Sequence, residues 1–236
     1  MSLLKLRNAL IVMGLFLAVI WALQVLNWTD SYRLDASYGI VPRDAGRLGE
    51  IFTAPFLHLS WAHIEGNSLP LFVLGVLAAY RSLVKFAFAT LIIAITSGMA
   101  VWLFQSNSVT IGASGVIFGY FGYVLVRGFV DRNLVDIGLG LVAGALYWTI
   151  LAVAIPGTPG VSWIGHLGGL VGGVAAAWML RTPAAQRVRP GRAGRVGPVG
   201  KKKAVTADAP GPRRPQPSAA GKSVDDLLRD LKEQGF

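Results

Sequence analysis

Gly112-Ala113-Ser114-Gly115-Val116-Ile117-Phe118-Gly119 sets one hydroxyl among small and apolar residues, at the head of an uncharged run that lasts until Arg127. Gly165-His166-Leu167-Gly168-Gly169 sets an imidazole in a second apolar run that lasts until Arg181. Both runs can enter a bilayer, where polar side chains are costly and are kept for a use. A hydroxyl and an imidazole are the minimum kit for a nucleophile and its general base. If Ser114 and His166 meet in space, the chain is a hydrolase that works inside the membrane.

The membrane reading rests on composition. Apolar residues make up 53% of the chain and charged residues 14%, with a mean hydropathy of +0.55, too apolar for an ordinary soluble domain. The net charge of +10 is unevenly spread: residues 1–180 hold nine Lys/Arg against seven Asp/Glu, and residues 181–236 hold thirteen against five. With no cysteine there is no disulfide, no thiolate nucleophile and no Cys-bound metal.

Six apolar stretches follow one another: residues 9–28, 61–80, 86–104, 113–126, 134–155 and 162–180. The first exceeds the roughly 7 to 15 apolar residues of a signal peptide, so it reads as a retained anchor. The expected architecture is all-α, a polytopic bundle of six transmembrane helices over residues 1–180. Lys/Arg before the first span, between the second and third, between the fourth and fifth, and after the sixth fall on one side. By the positive-inside rule both termini are cytoplasmic.

Depth follows from the same anchors. Ser114 lies thirteen residues from Arg127, Asn67 fourteen from Arg81, and His166 fifteen from Arg181. At about 1.5 Å per residue these put three polar side chains at one level, roughly 20 to 22 Å up a hydrocarbon layer about 30 Å thick. His63 sits one turn above Asn67. Gly165, Gly169 and Gly173 recur every four residues, as do Gly168 and Gly172, and Gly115 with Gly119 match them on the fourth span. Small residues at that interval let two backbones approach closely. Seen alone, Gly-Ala-Ser-Gly is a packing surface and Asn67 an interhelical hydrogen-bonding group; coincidence in depth with His166 favours chemistry. Because Ser114 begins its helix, backbone N–H groups there are free to stabilise an oxyanion, with His63 and Asn67 as further donors. No acid lies at comparable depth, so the pair is a dyad.

Gly112-Ala113-Ser114-Gly115, His63 with Asn67 as His-x-x-x-Asn, and His166 followed by Gly169 and Gly173 resemble the signatures of rhomboid intramembrane serine proteases. The resemblance spans about residues 34–180. It implies Ser114 as nucleophile, His166 as general base and acid, and His63, Asn67 and the Ser114 amide as the oxyanion hole. Gly112, Gly115, Gly169 and Gly173 are then structural motif positions. It implies a structural role for His58, a first loop forming a partly embedded cap, and a gate at the fifth span and its Pro/Gly-rich connection. Two positions depart from the family pattern. Gly46-Arg47-Leu48-Gly49-Glu50 stands where a Trp-Arg pair is common, and Phe118 replaces a Tyr that supports the histidine ring in some members. Phe118 can stack but cannot hydrogen-bond.

The implied function is a serine endopeptidase of the bacterial plasma membrane that cuts single-span membrane proteins through an acyl-enzyme, with no cofactor. A catalytically silent client-binding relative is the alternative. Three histidines without His-Glu-x-x-His do not make a zinc site, so no metal is expected. Residues 181–236 form a basic tail expected to be mostly disordered, with a short helix at 223–234 bearing Leu227, Leu228 and Leu231. Its charge favours anionic lipid at the membrane surface, and nucleic acid is not an expected partner.

Overall fold

In the computed structural model, residues 3–106, 108–149, 151, 155–157 and 160–182 are described. All fall in the first of two compact units, Met1–Val188. The tail expectations, including the helix at 223–234, lie outside the described residues.

The described chain is all-helical, with one isolated bridge pairing Ile40 with Thr110. Its helices are α1 (Leu3–Thr29), α2 (Arg33–Tyr38), α3 (Trp61–Ala79), α4 (Leu83–Phe104), α5 (Ser114–Asp131), α6 (Leu134–Tyr147) and α7 (Trp163–Met179), with short 3-10 turns at Ala45–Ile51 and Ala54–Phe56. Helices α1, α3 and α4 are long and apolar enough to cross a membrane, while α6 and α7 are apolar but shorter. Outward-facing Leu10, Ile11, Leu15, Val19, Phe88 and Leu91 leave an apolar surface that suits lipid.

Helix α5 is the axis of the bundle. Every residue from Gly115 to Val124 is buried, as expected of a helix that is apolar all round and covered on every side. It packs against α3, α4, α6 and α7. The glycine intervals explain how α7 reaches it. A Cβ on Gly169 would lie 2.0 Å from the Gly115 carbonyl oxygen, and one on Gly173 would lie 1.9 Å from that of Gly119. The second ladder faces α4, where a Cβ on Gly168 would lie 2.5 Å from Ala100 Cβ and one on Gly172 would lie 1.9 Å from Thr96 Oγ1. Two glycine rows thus seat α7 between two neighbours.

Three features differ from the sequence reading. Helix α5 does not stop at residue 126: it runs through Arg127 to Asp131, both buried, because these charges find partners. Arg127 bonds Ala78 O at 3.1 Å and Asp136 Oδ1 at 3.4 Å, and Arg81 bonds Asp131 Oδ2 at 2.8 Å. Helix α6 is α-helical only to Tyr147, and the described residues that follow, Trp148, Thr149 and Leu151, are in 3-10 conformation. The first loop, whose internal contacts the sequence left open, is held by Arg47. Its Nη2 donates to the carbonyls of Ala36 and Ser37 at 2.8 Å each, and its Nε pairs with Glu50.

Candidate active site

Serine begins or precedes four of these helices, and it plays two different parts. Ser60, Ser82 and Ser162 occupy the residue before α3, α4 and α7, and each side chain accepts a hydrogen bond from the backbone N–H three residues on. That is ordinary helix capping. At α5 the preceding residue is Ala113, which has no capping side chain, and Ser114 is the first residue inside the helix. Its Oγ lies 2.8 Å from His166 Nε2. The helix start therefore keeps uncapped first-turn N–H groups beside a hydroxyl that bonds elsewhere.

His166 is buried, and its ring stacks on Phe118 with centroids 4.2 Å apart and planes 8° from parallel. Its helix is fixed nearby by Ser97, whose hydroxyl donates to Gly165 O at 2.8 Å, and by Ser162, which donates to Gln105 Oε1 at 3.0 Å. Ser97 and Gln105 were missed in the sequence, where a hydroxyl and an amide in or after an apolar helix carry no positional signal.

Asn67 and His63 line the same cavity as Ser114 and His166. Asn67 is buried and its Nδ2 has no hydrogen-bond partner. His63 Nδ1 accepts the Leu59 N–H at 3.3 Å, which assigns the ring proton to Nε2. Gly112 makes this arrangement fit. Its φ of +121° suits glycine alone, and a Cβ there would stand 2.8 Å from His63 Cε1 and 3.0 Å from Nε2.

Ser114, His166, His63 and Asn67 line one cavity of about 530 Å³, and none of its described lining residues is charged. The first loop closes over it: Gly112 N donates to Ala54 O at 2.9 Å, and Ile40 and Thr110 exchange backbone bonds at 3.0 Å. His58 is fully buried outside the cavity, its ring edge-on to His63 at 5.0 Å. Burial, then the neighbouring His63, push its pKa down to about 3, with a Phe56 backbone contact opposing them. It packs beside the site and does not line it. No group of three or more His, Cys, Asp or Glu able to hold a metal occurs among the described residues.

The geometry defines a helical bundle with a hydroxyl–imidazole pair held between two helices, over an uncharged cavity with spare hydrogen-bond donors. A rhomboid domain model matches residues 45–183. An uncharacterized protein of Mycobacterium tuberculosis is 39% identical over 177 residues, covering 71% of this chain and 73% of its own. An uncharacterized protein of Mycobacterium leprae is 34% identical over 177 residues, covering 71% and 70%. Rhomboid-like protein 11, chloroplastic, of Arabidopsis thaliana is 27% identical over 146 residues, covering 56% and 52%. The chain belongs to the rhomboid family, a family of integral membrane proteins.

Proposed function

We propose that this chain is an intramembrane serine endopeptidase with Ser114 as nucleophile and His166 as general base and acid. The observation that carries the reading is the 2.8 Å contact between Ser114 Oγ and His166 Nε2 beside the unpartnered Asn67 Nδ2. In the reactive tautomer His166 Nε2 is unprotonated. It takes the Ser114 proton as Oγ attacks a peptide carbonyl carbon. The resulting oxyanion accepts hydrogen bonds from the Ser114 N–H, His63 Nε2–H and Asn67 Nδ2–H. As the C–N bond breaks, His166 returns the proton to the leaving amine. Water then enters, gives a proton to His166, and hydrolyses the Ser114 ester to restore both residues.

The uncharged cavity suits an apolar substrate segment. A transmembrane helix must first unwind there, because its carbonyls are bonded within the helix. Small residues at the cut and helix breakers beside it are therefore expected in the substrate. Six spans with cytoplasmic termini, in a bacterial plasma membrane, put the site near the outer surface. The fifth span with its Pro/Gly-rich connection is the proposed gate, and the first loop the cap.

Activity-based labelling tests the reading. A fluorophosphonate is expected to modify the wild type at Ser114, located by peptide mass spectrometry. Neither labelling nor turnover of any of several membrane substrates would instead favour a silent, client-binding rhomboid.

A further inference from the structure

A second cavity, of about 280 Å³, opens at the far end of α5 and is lined by Lys5, Arg81, Lys85, Arg127, Asp131 and Tyr80 among others. Thirteen residues separate Ser114 from Arg127, about 20 Å along the helix, so this cavity is separate from the first. It gathers residues from α1, α3, α4, α5 and the α3–α4 turn, with Thr182 just after α7.

The charges there do not cancel. Asp131 is taken up by Arg81 and by Thr182, whose N–H reaches it at 2.8 Å. Asp136, beside the cavity, is taken up by Tyr80, Arg81 and Arg127. Both carboxylates are thus engaged, and cationic capacity is left over. Among the described residues Lys85 Nζ donates only to neutral oxygens, Leu180 O at 2.6 Å and Thr182 Oγ1 at 3.1 Å. Lys5 is exposed and makes no ion pair with any described residue. Arg127 is held between the rings of Tyr80 and Tyr123, each 5.2 Å from its guanidinium carbon, and is 4% exposed. Its Nε has no hydrogen-bond partner among the described residues. Lys5 and Lys85 thus line the cavity with no ion pair to any described residue, beside the guanidinium of Arg127, and this surplus of positive charge calls for an anion with several acceptor oxygens.

We propose that this cavity binds a phosphate-bearing anion. Lys85 takes its oxygens from α4, Arg127 adds positive charge from the cavity wall, and Lys5 closes over it from α1. The setting favours a lipid headgroup over a free ion. Lys5 follows the exposed apolar residues Leu3 and Leu4 at the start of α1, where lysines meet anionic headgroups. The basic side chains that line this site belong to the helical bundle and not to the lysine run at Lys201–Lys203.

Native mass spectrometry of the full chain, released from detergent with phosphatidylglycerol or phosphatidylcholine, tests the proposal. The wild type is expected to retain one phosphatidylglycerol in preference to phosphatidylcholine. Lys5→Gln with Lys85→Gln weakens that binding about thirtyfold, and Lys5→Glu at the exposed position by at least about fivefold. Replacing Lys201, Lys202 and Lys203 with Gln leaves it unchanged. Inorganic phosphate that displaces the lipid, and raises the melting temperature of the wild type but not of the Lys5 and Lys85 variant, assigns the same cavity to free phosphate. Equal retention by wild type and both cavity variants, or a wild type with neither lipid preference nor phosphate response, overturns the site.

Discussion

Gly169 packs so closely on Gly115 that a Cβ on Gly169 would lie 2.0 Å from the Gly115 carbonyl oxygen, one residue beyond Ser114. The contact that joins the helices is therefore one residue from the proposed nucleophile and three from the proposed base. Packing and chemistry are coupled here through backbone position.

Gly169→Ala must push α7 away from α5, at a cost of about 1–3 kcal/mol for overpacking. A shift near 1 Å between Ser114 and His166 lowers kcat by about 10²-fold. Gly138→Ala is the control, since nothing lies within 4 Å of a Cβ at that position. Steady-state cleavage and thermal unfolding of both variants in one detergent provide the check: Gly169→Ala loses on both measures and Gly138→Ala on neither.

Asn67→Ala separates oxyanion stabilisation from packing. With Nδ2 unpartnered in the resting protein, its removal leaves stability near that of wild type. The loss falls on kcat, by about 10²-fold, with KM little changed. A large fall in melting temperature with normal kcat would instead mark Asn67 as an interhelical bonding group.

Depth counting drew together residues that the fold also draws together, even though one of its three anchors, Arg127, lies inside α5 and not at its end. Ser114, Asn67 and His166, placed at one level from Arg127, Arg81 and Arg181, do line one cavity. The start of α3 at Trp61 and the end of α4 at Phe104 agree with the apolar boundaries. Other features had no local signal. Arg127 read as a surface anchor because its partners, Ala78 and Asp136, lie on other helices. Arg47 holds three loop carbonyls, a contact made by tertiary folding and invisible in Gly46-Arg47-Leu48-Gly49-Glu50. The change from α-helix to 3-10 conformation after Tyr147 falls in a run that stays apolar, and hydropathy does not distinguish the two.

Phe118 is proposed to position His166 by stacking alone. Phe118→Leu removes an aromatic contact of about 0.5–1.5 kcal/mol and lowers kcat roughly two- to tenfold. Phe118→Tyr preserves the stack and retains most activity. Parallel kcat measurements on the two variants make the comparison.

His58 gives the fold an acid limit. Its pKa is about 3 in the folded chain against about 6.5 when unfolded, so between these values the unfolded state binds the extra proton. Its contribution to stability is therefore full above pH 6.5 and is lost as pH falls from about 6.5 toward 3. His58→Leu flattens the melting-temperature profile over that window, measured by thermal unfolding at a series of pH values. A profile as steep as that of wild type would assign the acid sensitivity to other groups.

Cleavage of a transmembrane substrate by wild type and Ser114→Ala, reconstituted in the same vesicles, tests the central claim most directly. The account predicts a single endoproteolytic cut by wild type and a rate at background for Ser114→Ala, with both proteins folded and inserted to the same extent. Equal cleavage by the two proteins would contradict it.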